Sequence, residues 1–139
     1  MKKIMISSIA ILISLCLITG CGKKKEADKP EKPIPRGDVN VNTNVDVVGD
    51  KEVETFKFEN VSLVYDNGTS RLETKVTNTS DQVATLSQFR IHIMKDGVQI
   101  ANLPGYVGNS MQPGETRILT TTYGEDLTSA TSVNYEVVR

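Results

Sequence analysis

The sequence predicts an all-β domain, an antiparallel β-sandwich of six to seven strands, and three observations support this. From Val53 onward, short runs of alternating apolar and polar residues are separated by turn signals about every ten residues. Aromatic residues make up 5% of the chain and Trp is absent, so Val, Ile and Leu must build most of the core, which favours strands. No stretch of this part keeps a helical period, although residues 126–130 could form one turn.

The first hairpin of this domain has the clearest turn. A strand over residues 56–65 ends at Asp66-Asn67-Gly68-Thr69, where Asn-Gly supplies the two positive-φ positions of a type I′ turn. The returning strand covers residues 71–77 and places apolar and small residues on one face, at Leu72, Thr74 and Val76.

A half-buried central strand is predicted next, because Phe89, Ile91 and Ile93 alternate with Arg90 and His92. Lys95-Asp96-Gly97 then forms a turn into the following strand. The other strands of this half are predicted over residues 83–86, 98–101, 117–123 and 133–137.

The first twenty residues have the organisation of a signal peptide. Met1-Lys2-Lys3 is basic, and residues 4–18 form an apolar run interrupted by serines. That run is shorter than the roughly 20 apolar residues that a membrane-spanning helix needs. It ends at Ile18-Thr19-Gly20-Cys21, which resembles the lipobox of bacterial lipoproteins. The resemblance implies that diacylglycerol is attached to the thiol of Cys21, that residues 1–20 are removed, and that lipid holds the chain on the extracytoplasmic face of the cell membrane.

Residues 21–51 are expected to be the lipidated cysteine and a flexible linker, with the folded domain over 52–139. The segment is rich in charged residues and Asn and contains Pro30, Pro33 and Pro35, which favour extended chain. Its lysines at 23–25 either approach anionic lipid headgroups or lie in a solvated stalk. Later in the segment, apolar side chains alternate with Asn and Asp, which fits either a loosely formed edge strand or a disordered linker; these are Val39, Val41, Val45 and Val47.

The charge and the reactive side chains exclude several classes of function. The formal net charge is −1 and the basic residues form no stripe, so no nucleic-acid partner is expected. Both cysteines, Cys16 and Cys21, lie in or at the end of the signal segment, so the domain has no thiol for a disulfide or a zinc site. His92 is the single histidine and is expected to face solvent from mid-strand. We therefore predict no catalytic residue, metal site or cofactor, and no enzyme activity.

Three motifs of the domain resemble the FxLYD-type and related immunoglobulin-like domains of bacterial extracytoplasmic lipoproteins. They are Val76-Thr77-Asn78-Thr79-Ser80, Phe89-Arg90-Ile91-His92-Ile93 leading to Asp96-Gly97, and Met111-Gln112-Pro113-Gly114-Glu115-Thr116. The resemblance implies a small immunoglobulin-like sandwich that serves as a binding or assembly module without a shared active site.

The best candidate for a recognition surface is the Gly-rich segment over residues 103–110, with Tyr106 and Asn109 as its contact residues. For this segment, however, the sequence favours a structural role, in which Tyr106 packs over the end of the sandwich and Gly105 and Gly108 serve turns. The anchor and the sandwich together predict a non-enzymatic interaction or assembly module at the cell envelope, whose partner is an envelope protein or the cell wall. The alternative function is binding of a small ligand or an ion.

Overall fold

The computed structural model describes residues 37–139, so the signal peptide, the lipobox and Cys21 lie outside the described residues. The described part is 59% strand and 4% helix. In chain order its elements are β1 (Asn40–Val41), α1 (Val45–Val48), β2 (Lys51–Val53), β3 (Phe56–Asp66), β4 (Thr69–Asn78), β5 (Ala84–Thr85), β6 (Gln88–Lys95), β7 (Val98–Gly105), β8 (Ser110–Met111), β9 (Thr116–Tyr123) and β10 (Ser132–Val138).

The long strands form two antiparallel sheets. In the larger sheet β3 pairs with β4 and β4 with β9, while β1 and β2 both pair along the other side of β3. The smaller sheet has the order β10-β6-β7, and β5 and β8 form a short separate pair. The chain crosses between the two main sheets after β4, β7 and β9, as it does in immunoglobulin-like sandwiches. The predicted all-β sandwich is confirmed.

Aromatic rings join the two sheets in the core. Phe89 of β6 meets Phe56 and Phe58 of β3 edge-on, with ring centroids 5.1 and 5.2 Å apart. Tyr135 of β10 stacks on Phe58 at 3.8 Å. The remaining core is aliphatic, as the composition predicts, and its fully buried members include Leu63, Leu72, Val76, Ile91, Ile93, Leu119 and Val133.

The predicted turn at Asn67-Gly68 is present, with φ of 49° at Asn67 and 82° at Gly68. Asp96 and Gly97 repeat it between β6 and β7, with φ of 51° and 81°. Both pairs have the positive φ that Asn, Asp and Gly accept most readily.

The N-terminal part of the described chain is folded onto the sandwich. Asn40 and Val41 pair with Tyr65 and Val64 of β3, so this short stretch is an edge strand. Val47 of α1 is fully buried in the core. The folded unit therefore extends upstream of residue 52, where composition alone placed its start.

Candidate interaction surface

Tyr106 and Asn109 lie in a short loop between β7 and β8. Strand β7 extends to Gly105 and β8 begins at Ser110. The loop is therefore shorter than the Gly-rich segment 103–110 that the sequence indicated. The side chain of Tyr106 is 64% exposed, and Asn109 is also exposed. Tyr106 therefore does not pack over the sandwich end, and its ring is available to a partner.

The glycines on either side of this ring have different roles. Gly105 is buried in β7, and a Cβ atom there would lie 2.6 Å from Cδ1 of Leu119 and 3.1 Å from Cδ1 of Ile91. It thus lets β7 approach β9 closely. Gly108 has a φ of 97°, a conformation that side chains disfavour. Close packing on one side and a tight bend on the other hold Tyr106 at the surface.

An ion pair braces the middle of the loop. Val107 is buried, and its carbonyl oxygen accepts a hydrogen bond from Nη1 of Arg117. Arg117 is held in turn by Glu115, with Nε and Nη2 at 2.8 and 2.7 Å from Oε1. The backbone N–H of Gln112 donates to Oε2 of Glu115 at 2.7 Å. That bond first, and Arg117 second, lower the pKa of the Glu115 carboxyl.

Asn109 borders an open cavity of about 220 Å³ at the same end of the domain. The cavity is lined by Thr85, Leu86, Ser87, Asn109 and Arg139. The carbonyl oxygen of Asn109 accepts a hydrogen bond of 3.1 Å from the backbone N–H of Leu86, and the guanidinium of Arg139 pairs with Glu54. The lining thus offers hydroxyls, an amide and a cation beside the Tyr106 loop.

His92 lies on the outer face of β6, away from this loop. Its Nδ1 is 2.7 Å from Oε1 of Gln99 and its Nε2 is 3.1 Å from Oε2 of Glu136. Arg90 also contacts Glu136, at 3.4 Å. The histidine therefore belongs to a polar network on a flat strand face. Within residues 37–139, no group of three His, Cys, Asp or Glu residues is arranged to hold a metal ion.

Asn78, at the end of β4, joins the segment before β5 to the chain that follows the Tyr106 loop. It is fully buried, and its Nδ2 donates to the carbonyl oxygens of Gln82, Met111 and Gln112 at 2.8, 3.1 and 3.3 Å. Its Oδ1 accepts from the backbone N–H of Ser80 at 3.1 Å. The sequence motif around Asn78 indicated the fold, but the hydrogen-bond partners that make this residue important were not predicted.

The predicted lipidation residue Cys21 and the lipobox residues Ile18, Thr19 and Gly20 are outside the described part of the chain. No helix within residues 37–139 is long and apolar enough to cross a membrane. Comparison with family models, curated proteins and solved structures gave no match to this chain.

Proposed function

We propose that this protein is a lipoprotein anchored to the extracytoplasmic face of the cell membrane, and that its sandwich is a non-enzymatic interaction or assembly module. Its partner is an envelope protein or a component of the cell wall, contacted through the loop that carries Tyr106. The observation that supports this most directly is that a large aromatic side chain, 64% exposed, projects from a loop braced on both sides.

Tyrosine suits such a contact because it buries a large amphipathic area while losing little conformational freedom. The bracing of Val107 by Arg117 means that the loop is largely ordered before the partner binds. The entropy cost of binding is then confined mainly to one side chain. Tyr106 is thus expected to contribute about 2 kcal/mol or more to binding, as central tyrosines of interfaces do.

The lipid on Cys21 supports the same function from the sequence. Burial of acyl chains contributes about 0.8 kcal/mol per methylene, and two chains provide stable anchoring. A tethered domain meets envelope partners at a high effective concentration, so a single small contact surface is sufficient.

Metabolic labelling with palmitate tests the anchor. The wild type and Cys16→Ala should incorporate label, because Cys16 lies within the predicted signal peptide, whereas Cys21→Ala should not. Equal labelling of Cys21→Ala and the wild type would contradict the lipid attachment site.

Photo-crosslinking in cells tests the interaction surface. A photoreactive phenylalanine analogue at position 106 should capture the same partner reproducibly. The same analogue at position 118, where Ile118 is 54% exposed on another strand, is the control. Identical products from both positions would contradict a contact at the loop, and Tyr106→Ala should lower recovery of the captured partner about thirtyfold.

The cavity beside Asn109 favours a second candidate, binding of a small anion. Arg139 and the hydroxyl residues Thr85 and Ser87 line it. To bind phosphate, Arg139 would exchange its ion pair with Glu54, and Ser87 its hydrogen bond to the carbonyl oxygen of Val138, for hydrogen bonds to the anion. Inorganic phosphate at a hundred times its dissociation constant should stabilise the wild type by about 2.7 kcal/mol. Asn109→Ala should reduce this gain, and a melting temperature that phosphate leaves unchanged would exclude this candidate.

A further inference from the structure

A second cavity, of about 260 Å³, lies on the outer face of the larger sheet, beside the turn between β3 and β4. Its walls come from the residue before β1 and from the strands β3, β4 and β9, and consist of Val39, Val64, Asp66, Thr69, Arg71 and Thr122. The cavity is smaller than the roughly 300–1,000 Å³ of sites for drug-sized molecules. A ligand of this site would therefore be about the size of a single amino acid.

Strand pairing places an acid and a base side by side in this cavity. Asp66 lies opposite Thr69, and Val64 lies opposite Arg71. Arg71 also lies opposite Thr122 of β9. Asp66 and Arg71 are thus diagonal neighbours across β3 and β4, a relationship that separates two residues by about 7–8 Å. Each charged residue has a threonine directly opposite, whose hydroxyl can accept from an ammonium group or donate to a carboxylate.

Neither of these two charges is held by a close ion pair within residues 37–139. Nη1 of Arg71 is 3.9 Å from Oε2 of Glu73, and both side chains are exposed, so this pair contributes little. The ion pairs of the described residues do not include Asp66. On the same face of the sheet, Lys57 is paired closely with Glu59, at 2.6 Å. The acid and the base of the cavity are therefore available to a ligand.

We propose that this cavity binds a free α-amino acid with an apolar side chain. The ammonium group of the ligand donates to the carboxylate of Asp66, and its carboxylate accepts from the guanidinium of Arg71. The apolar side chain packs on Val39 and Val64, which form the apolar part of the wall. An α-amino acid carries both charges on one carbon and, with a charge-assisted hydrogen bond of about 2.8 Å at each end, bridges two groups that lie this far apart.

The cavity beside Asn109 does not offer the same combination of groups. Among the described residues that line it, Arg139 is a cation and none carries a carboxylate, so it cannot hold both ends of a zwitterion. The amino-acid site shares no residue with that cavity or with the Tyr106 loop, so each can fail without the other. Because the charged side chains of the site are exposed, we expect a dissociation constant of about 1 mM for leucine.

Titration with L-leucine and three analogues tests the three contacts separately. Full-length lipidated protein, labelled with ¹⁵N and kept in detergent, is followed by the NMR shifts of its backbone amides. Leucine should shift the amides of residues 64–71 and reach saturation. Isopentylamine lacks the carboxylate, 4-methylpentanoate lacks the ammonium group and glycine lacks the apolar side chain, so each should bind about three- to tenfold more weakly. Equal affinities for all four compounds, or no saturable shift at residues 64–71, would overturn the proposal.

Two variants that each remove one charge test which residue holds which end of the ligand. Arg71→Gln should weaken leucine binding about three- to tenfold without weakening isopentylamine, which has no carboxylate. Asp66→Asn should weaken leucine to a similar extent without weakening 4-methylpentanoate. Lys75→Gln and Asp81→Asn remove the same charges at exposed positions outside the cavity and should leave leucine binding unchanged. A cavity variant that weakens leucine and its matched analogue alike, or controls that weaken leucine as much as the cavity variants do, would overturn the assignment.

Discussion

The side-chain amide of Asn42 donates a hydrogen bond of 2.8 Å to the carbonyl oxygen of Ala130, 88 residues further along the chain. The same Nδ2 donates to the carbonyl oxygen of Thr128 at 2.9 Å. Asn42 Oδ1 accepts from the backbone N–H of Asn44 at 2.8 Å. One buried side chain thereby attaches the N-terminal segment of the sandwich to the loop that precedes β10.

Asn42→Ala should lower the free energy of unfolding by about 2–3 kcal/mol, because it leaves buried carbonyl groups without donors. Urea denaturation followed by circular dichroism measures the loss. Asn40→Ala is the matched control, since Asn40 is exposed and makes one side-chain bond, to Asp126 at 3.0 Å. It should cost less than about 1 kcal/mol, and equal losses in the two variants would contradict the role given to Asn42.

Asn78→Asp should destabilise the domain by about 3 kcal/mol or more. The substitution replaces a donor that faces three carbonyl oxygens with a carboxylate, which is costly when buried and surrounded by acceptors. Asn67→Asp, in the β3–β4 turn, makes the same chemical change at an exposed site where Asp is also favoured, and should be nearly neutral. Near-neutral behaviour of both variants in thermal denaturation would count against the buried network.

Tyr135→Phe should leave stability unchanged or raise it by about 1 kcal/mol. The hydroxyl of Tyr135 is buried without a hydrogen-bond partner, and burial raises the pKa of this phenol, so its removal ends a desolvation cost. The ring would still stack on Phe58. Tyr106→Phe, at an exposed position, is the control for loss of a hydroxyl. A clear loss of stability in Tyr135→Phe alone would mean that the hydroxyl is bonded in solution.

Glu115→Gln should reduce stability at neutral pH but not in acid. In the folded protein the pKa of Glu115 is lowered from its ordinary 4.5 by the Gln112 N–H and by Arg117. The ionised carboxylate therefore stabilises the fold above pH 4.5, and this contribution disappears as the pH falls below 4.5 through the folded-state pKa. Unfolding curves from pH 7 to pH 3 for the wild type, Glu115→Gln and the surface control Glu73→Gln test this. A difference between Glu115→Gln and the wild type that stays constant over this range would exclude the mechanism.

Much of the fold was predictable because strand patterns and turns depend on near neighbours. The alternation of Phe89, Ile91 and Ile93 identified β6, and Asn67-Gly68 identified the turn that joins β3 to β4. The alternation of buried and exposed side chains along a strand has a period of two residues, so it can be recognised from the local sequence. Local sequence also indicated a loop around Tyr106, but it favoured packing of this ring over the sandwich end, and only the structure shows that the ring is exposed.

The segment before β2 was harder to predict from sequence alone. The spacing of Val45 and Val47 suits a strand as well as a linker, yet both residues lie in the short helix α1. Asn44 caps this helix, because its side-chain oxygen accepts a hydrogen bond of 2.9 Å from the backbone N–H of Asp46. Val47 is buried because it packs into a core formed by strands that are distant in sequence. Its burial therefore depends on tertiary packing rather than on the residues beside it in the chain.

The sequence by itself determined the all-β class, the long strands and their turns, and it predicts the lipid anchor at Cys21. Only the tertiary structure decided that residues 40–48 belong to the sandwich and that Asn42 and Asn78 are buried. The physical reason is distance along the chain. Periodicity and turn chemistry act between neighbours, whereas the partners of Asn42 and Asn78 lie 88 and 33 residues away and are selected only when the sheets close around a common core.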